Sequence, residues 1–581
     1  MSGLSFVKGA TEPALLEYTI GEALDRAVKR WPRAEALVAV HQDIRWTWAE
    51  FGQRVETLAA GLLSLGLEPG DRVGVWAPNC AEWTLVQFAT AKAGLIQVNI
   101  NPAYRLNEIE YTLRKVGVKV LISSERFKSS EYARMIEQLA PEIAVSKPGD
   151  LKAARLPDLR AVVLISNQKE AKAAATLLSD GPTPPRRTRA GWLGFEDLLL
   201  DTSGRDLQRL ANIGERLDRN EAINIQFTSG TTGLPKGATL SHRNILNNAY
   251  FVGEAMGLAA GDRLCIPVPL YHCFGMVMGN LACVLHGATM IYASDGFDAL
   301  SVLTTVETER CTALHGVPTM FIAELEHAEF ASFDLSSLRT GIMAGSPCPI
   351  EVMRKVIDRM NMKQVGIAYG MTETSPVSFQ TSKSDLLERR VSTVGRSQPH
   401  LESKIVDPSG AITSRGEPGE LCTRGYSVMI GYWNDAAKTA EAIDDAGWMH
   451  TGDIGVIDQE GYCNIVGRIK DMVIRGGENV YPREVEEFLF RHPKVEDVTV
   501  VGVPCPKYGE QLVAWIRLRS GETAEASEIV EFCKGQIAHF KVPAHVRFVD
   551  AFPMTVTGKI QKFEIRKAMI AELGLSEIKT A

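Results

Sequence analysis

Phe227-Thr228-Ser229-Gly230-Thr231-Thr232-Gly233-Leu234-Pro235-Lys236-Gly237 follows a short apolar run at 224–227 and precedes a helix-like pattern from about 244 to 256. Four hydroxyls, three glycines and one lysine fall within residues 228–237. Glycines let backbone amides close around an anion as a nest, hydroxyls add neutral donors, and the lysine adds positive charge. Those are the parts that a polyphosphate needs. The lysine spacing is not that of G-x-x-x-x-G-K-[ST], so the loop is not the P-loop of kinases and ATPases.

Outward from this loop, strand-like and helix-like runs alternate. Residues 72–77 (RVGVWA) and 118–122 read as apolar strands, and 81–93 reads as a helix. Residues 339–344, 350–360 and 364–369 read as a βαβ unit. Such alternation predicts an α/β fold, with parallel-rich sheets packed by helices in a large N-terminal part that has room for subdomains. Residues 181–191 (GPTPPRRTRAG) read as an exposed loop. The texture changes near 470. Helices at 482–490 and 526–537 then mix with strands at 498–503, 513–518 and 546–549, which predicts a small α+β C-terminal domain. The boundary falls at 468–472 and divides the chain into 1–469 and 470–581.

The 581 residues carry 63 Lys and Arg against 70 Asp and Glu, a net charge of −7, which disfavours nucleic acid as a partner. Ten cysteines form no CxxC pair, and no His cluster has zinc spacing, so reduced thiols and a cytoplasmic setting are expected. The N-terminus lacks the basic start and apolar run of a signal peptide. The apolar stretch 275–293 includes Asn280 and His286 and reads as a buried helix turning into a strand, not a membrane span. No G-x-S-x-G motif supports a serine hydrolase of the elbow type.

Residues 227–237 resemble the signature loop of the adenylate-forming superfamily, which includes acyl-CoA synthetases, luciferases and peptide-synthetase adenylation domains. Four more segments match in order: Tyr369-Gly370-Met371-Thr372-Glu373, Thr451-Gly452-Asp453, Gly467-Arg468-Ile469-Lys470-Asp471 and 553–559 (PMTVTGK). Within this family, 99–104 (NINPAY) and Tyr271-His272 resemble fatty acyl-CoA synthetases, particularly medium-chain members. The resemblance implies two half-reactions. A carboxylate attacks the α-phosphate of ATP, releasing pyrophosphate, and the thiol of coenzyme A then displaces AMP.

It also implies roles. Thr228, Ser229, Gly230, Thr231, Thr232, Gly233 and Lys236 would cradle the β- and γ-phosphates. Glu373 would bind Mg²⁺, and Thr372 would donate to the α-phosphate. Tyr369, with Gly370 and Met371 after it, would lie along the adenine, and Gly345, Ser346 and Pro347 would line its other side. Asp453 would accept the ribose hydroxyls with support from Arg468. Lys559, after Gly558, would bridge the attacking carboxylate and the α-phosphate. Lys470 is the implied hinge of a mobile C-terminal domain, whose Arg475, Gly476, Gly477 and Glu478 would line the CoA channel in the second step. His272 is the implied gate of an acyl pocket walled by Met276, Met278, Gly316, Val317 and Val377. These walls offer no partner for a second carboxylate, so an apolar monocarboxylic acid is expected.

The leading expectation is an AMP-forming acyl-CoA ligase for medium-chain acids. Its small-molecule partners are the acid, ATP and CoA, and a homodimer is left open. The alternatives are a relative that activates aryl or short branched acids or loads a carrier protein, and a non-catalytic nucleotide or acyl sensor. Acetylation of Lys559 would remove the charge that its role requires.

Overall fold

The computed structural model describes residues 3–166, 189–200, 204–228, 235–476, 478–555 and 558–575. Ser229, Gly230, Thr231, Thr232, Gly233, Gly477 and most of the loop expected at 181–191 lie outside the described residues.

Two large sheets face each other across a layer of helices. The first has eight strands in the order Gly431–Tyr432, Lys236–Ser241, Ala222–Thr228, Ile96–Asn99, Arg72–Trp76, Val118–Ser124, Ala161–Ile165 and Leu193–Gly194. The second has nine: Arg396–Ser397, Val377–Gln380, Gly366–Gly370, Thr340–Ala344, Ala313–Gly316, Arg263–Cys265, Thr289–Tyr292, Glu35–Ala39 and Ile44–Thr47. Their central pairings are parallel and their antiparallel pairings lie at the edges.

Both faces of each sheet are covered, which is why a central strand such as Ala161–Ile165 reads as a continuous apolar run. In the second sheet Leu37, Met290 and Ile342 face inward to the shared core. Their neighbours Val38, Ile291 and Met343 face outward to helices Ala299–Thr308, Pro318–Leu325 and Ile350–Arg359. This is the period of two that a strand imposes. Val120 and Ile122 of the first sheet face the same shared core, and Leu121 faces outward beneath helices Leu106–Val116 and Tyr132–Leu139. Helix Ala81–Lys92 lies in the middle layer with every residue from Ala81 to Ala91 buried. It is joined there by Trp48–Ser64 and by a π-helix, Phe274–Leu281. That π-helix runs into helix Ala282–His286, which ends at Gly287 (φ +72°) before strand Thr289–Tyr292. The apolar stretch 275–293 is therefore a buried helix-strand pair, and no described helix is long and apolar enough to cross a membrane.

Two expectations need correction. The loop after Thr228 does not lead into a helix. Lys236–Ser241 is a strand antiparallel to Ala222–Thr228 with Lys236 opposite Thr228, so the loop closes a hairpin. Its sequence, KGATLS, carries little apolar signal because pairing on both edges holds it in place. The helix begins at His242, where the Ser241 hydroxyl accepts the Asn244 N–H (3.1 Å) and Asn244 Oδ1 accepts the Ser241 N–H (2.8 Å). The helix expected at 526–537 stops at Cys533, two residues before Gly535 takes φ +70°.

A third sheet is wholly antiparallel: Phe6–Lys8, Leu401–Val406, Gly419–Gly425, Met449–Ile457 and Cys463–Arg468. Residues from Val473 onward build their own sheet from Val473–Arg475, Glu478–Val480, Val495–Cys505, Gly509–Leu518 and His545–Phe548. Helices Pro482–Leu489, Ala526–Cys533 and Lys562–Glu572 pack on it.

Candidate active site

Thr228, Gly345, Thr372 and Glu373 lie at the carboxyl ends of strands of the two large sheets, where ligands of α/β folds bind. Thr228 ends one strand, Gly345 follows Thr340–Ala344, and Thr372 and Glu373 follow Gly366–Gly370 in a short 3₁₀ turn. Gly370 admits no side chain, because a Cβ there would lie 1.7 Å from the Pro376 carbonyl oxygen.

Glu373 is buried and accepts two hydrogen bonds on Oε1, from the Thr228 hydroxyl (3.2 Å) and the Tyr432 hydroxyl (2.8 Å). Burial and the neighbouring Glu373 push the Tyr432 phenol far up, so it is a neutral donor. Lys236 Nζ sits 4.2 Å from the centroid of the same ring. Tyr432 thus ties the lysine of the loop to the carboxylate of the turn. It sits there because Gly431–Tyr432 pairs with Thr239 and Ala238.

Asp453 is buried and opposite Arg468 across a strand pair. Its Oδ1 accepts from Arg468 Nε (2.9 Å) and its Oδ2 from the Tyr369 hydroxyl (2.6 Å). Each carboxylate oxygen has a second lone pair, so both remain able to accept a diol. The bulge before Asp453 in strand Met449–Ile457 is braced by Glu420: Oε1 accepts the Gly452 N–H (3.0 Å) and Oε2 lies 2.9 Å from His450 Nδ1. Cys422 lies in the same group, with Sγ 3.5 Å from His450 Nδ1.

Lys559 arrives from the C-terminal sheet. The Thr319 hydroxyl donates to the Gly558 carbonyl (3.0 Å), and Lys559 N–H donates to the Thr555 hydroxyl (3.0 Å). A Cβ on Gly345 (φ +91°) would lie 3.6 Å from Lys559 Cε, so the lysine stem passes directly over that glycine. Gly558 (φ +76°) packs on Val317, where a Cβ would meet Cγ2 at 3.0 Å. Burial, then the Arg468 charge, lower the Lys559 ammonium to about 8, while Asp453 and Glu373 pull it back up. Ser346 and Pro347 follow Gly345 at the same rim.

His272 is held neutral, lowered to about 3 by burial and then by the Lys559 charge. Its carbonyl accepts the Met276 N–H (3.1 Å) at the start of the π-helix. Met276, Met278, Val317 and Val377 share one apolar cluster. A Cβ on Gly316 would meet the Phe321 ring at 2.8 Å. Other candidates point elsewhere. Arg475 donates to the Phe540 (2.8 Å) and Val542 (2.9 Å) carbonyls, and Gly476 N–H to Tyr508 O (2.8 Å), all within the C-terminal sheet region. Glu478 is exposed opposite Arg475, and Lys470 is exposed in the turn after Arg468.

Sequence reasoning missed Tyr432, Glu420 and Thr319. Each acts through a contact distant along the chain, and nothing around them locally marks the role.

Comparison with known proteins follows the same outline. A family model described as AMP-binding enzyme matches residues 24–433, and its C-terminal domain model matches 484–559. The mitochondrial medium-chain acyl-CoA ligase ACSF2 of Danio rerio is 48% identical over 574 residues, covering 98% of this chain and 91% of the relative. The human ACSF2 is 45% identical over 581 residues, covering 99% and 91%. Among solved structures, the anthranilate CoA ligase AuaEII in complex with anthranoyl-AMP superposes with a TM-score of 0.81 at 26% identity, covering 97% of this chain and 99% of that one. ATP-bound MatB from Rhodopseudomonas palustris gives 0.73 at 25%, covering 95% and 99%.

Proposed function

The chain belongs to the AMP-binding enzyme family, and on that premise we propose that it joins a medium-chain fatty acid to coenzyme A in two steps. The acid's carboxylate oxygen attacks the α-phosphorus of ATP, an acyl-adenylate forms and pyrophosphate leaves. The CoA thiol then gives up its proton to solvent and attacks the acyl carbonyl, the thioester forms and AMP leaves with the bonding electrons. The observation that carries this proposal is the seating of Lys559 over Gly345, with Glu373 and Asp453 near enough to act on its charge.

In the first step Lys559 places one ammonium between the incoming carboxylate and the α-phosphate, where negative charge concentrates. Thr372 donates to that phosphate. Lys236 and the loop 228–237 hold the outer phosphates, and Asp453 with Arg468 holds the ribose. Tyr369, Gly370, Met371, Gly345, Ser346 and Pro347 enclose the base. His272, neutral, closes the acyl side without adding a charge. Glu373 suits Mg²⁺, a hard cation that takes one or two carboxylates plus phosphate oxygens, and its side-chain hydrogen bonds to described residues fall on one oxygen. Bound there, the ion would neutralise phosphate charge.

For the second step we set the division of the chain at 469/470, with Lys470 as hinge. Turning there carries Lys559 out and the hairpin bearing Arg475, Gly476, Gly477 and Glu478 in, to line the CoA channel. Gly476 holds φ +63° at the hairpin tip, a backbone suited to close passage of a thin arm. The likeness to the medium-chain acyl-CoA ligase ACSF2 of two vertebrates and the apolar walls Met276, Val317 and Val377 support a medium-chain acid. All ten cysteines are free and buried, which supports a reducing compartment such as the cytoplasm. Exchange of labelled pyrophosphate into ATP, run without CoA, tests the first step. Exchange that requires a medium-chain acid supports it, and acid-independent or absent exchange refutes it.

A further inference from the structure

Four buried amides have no part in the chemistry above. Strands Ile96–Asn99 and Ala222–Thr228 run parallel, with Gln97 opposite Asn224 and Asn99 opposite Gln226. Val98 and Ile225 between them pack into the outer core, so the amides face the layer that holds the π-helix. They form a chain. Gln97 Nε2 donates to Asn99 Oδ1 (2.9 Å), Asn224 Nδ2 donates to the same oxygen (3.0 Å), and Gln226 Nε2 donates to Asn224 Oδ1 (2.9 Å).

The chain grips residues 271–276. Asn99 Nδ2 donates to the Tyr271 carbonyl (2.9 Å), and Cys273 Sγ donates to Gln226 Oε1 (3.3 Å). Met276 Sδ accepts from both Asn99 Nδ2 (3.0 Å) and Gln226 Nε2 (3.2 Å). A thioether is a weak acceptor, and methionine is ordinarily an adaptable filler of apolar gaps. Here two amide donors pin the sulfur. Apolar side chains at these four positions would avoid desolvating the amides, so their presence calls for a positional reason.

We propose that Asn99 and Gln226 are positioning residues that set acyl-chain length, by holding Met276 as the floor of the acyl pocket. This rests on the ligase function proposed above. Gln226 lies two residues before Thr228, whose hydroxyl bonds Glu373. Strand Ala222–Thr228 therefore carries a phosphate-side residue at its end and the pocket clamp about 7 Å behind it. That rigid spacing fixes how much chain fits between the reacting carboxylate and Met276.

The test measures kcat/KM over a homologous series of straight-chain acids for wild type, Met276→Leu, Gln226→Leu and the double variant. Met276→Leu nearly conserves volume but shortens the reach of the side chain. Its optimum moves to acids about one or two carbons longer, each added methylene gaining up to about fourfold relative to wild type. Gln226→Leu moves the optimum in the same direction by freeing Met276, with KM for ATP unchanged. The double variant shifts no further than Met276→Leu, because both act through one side chain. An optimum that stays in place in Met276→Leu, or shifts that add in the double variant, overturns the proposal. Should Gln226→Leu fail to fold, Asn99→Leu, which removes the other donor to the Met276 sulfur, takes its place, and an optimum unchanged in it overturns the positioning role. A wild type that forms no AMP with any acid instead removes the ligase function and this inference with it.

Discussion

Removing the Tyr432 hydroxyl should slow the first half-reaction while leaving the fold intact. In Tyr432→Phe the ring stays against Lys236 Nζ, now 4.2 Å from its centroid, so that contact survives. What goes is a 2.8 Å bond from a neutral phenol to the buried Glu373 carboxylate. A hydrogen bond to a charged group contributes about 1.5–3 kcal/mol, or roughly 10- to 150-fold. Thr228 still donates to the same oxygen at 3.2 Å, so the expected loss lies at the lower end, about tenfold in kcat/KM for ATP. The assay is acid-dependent pyrophosphate exchange across a magnesium titration, and the variant should need more magnesium to reach its plateau. Tyr432→Ala should lose more, since the cation–π contact, worth about 0.5–2 kcal/mol, goes with the ring. If Tyr432→Phe matches wild type at every magnesium concentration, Glu373 does not depend on this tether and its assignment as the metal ligand loses its support.

Three further outcomes are expected. Lys559→Ala should lower adenylate formation by on the order of 10²–10³ or more while sparing thioester formation from supplied acyl-adenylate, so equal loss in both steps would contradict the division of labour. Because the Lys559 ammonium is lowered to about 8, kcat/KM for ATP should fall as pH rises through that value, and Arg468→Ala, by removing the second cause of the lowering, should move the limb to higher pH. A limb unchanged in Arg468→Ala would remove that electrostatic link. Glu420→Ala should raise KM for ATP by about three- to tenfold through the loosened bulge before Asp453, with KM for the acid unchanged, as steady-state kinetics would show.

Much of the architecture was legible because local pattern and burial agree. The βαβ unit around 350–360 reads correctly since Thr340–Ala344 and most of Gly366–Gly370 are buried and their residues are mostly apolar or glycine. Strand Lys236–Ser241 was hidden because its polar sequence is held by neighbours on both sides rather than by its own propensity. The π-helix at Phe274–Leu281 is apolar apart from Asn280 and differs from an α-helix only in backbone bonding. At the site, residues carried by contiguous motifs were visible, Glu373, Asp453 and Lys559 among them. Tyr432 was not, because it reaches Glu373 through a strand of two residues. The amide chain had a usable signal: Gln97 and Asn99, then Asn224 and Gln226, put amides at alternate positions on one face of two otherwise apolar strands.

The central claim is that this site makes a thioester by way of an adenylate. Purified protein given ATP, Mg²⁺, CoA and a medium-chain fatty acid should release AMP and acyl-CoA in equal amounts, with no AMP when the acid is withheld. ADP as the nucleotide product, or AMP release that does not depend on the acid, would contradict it.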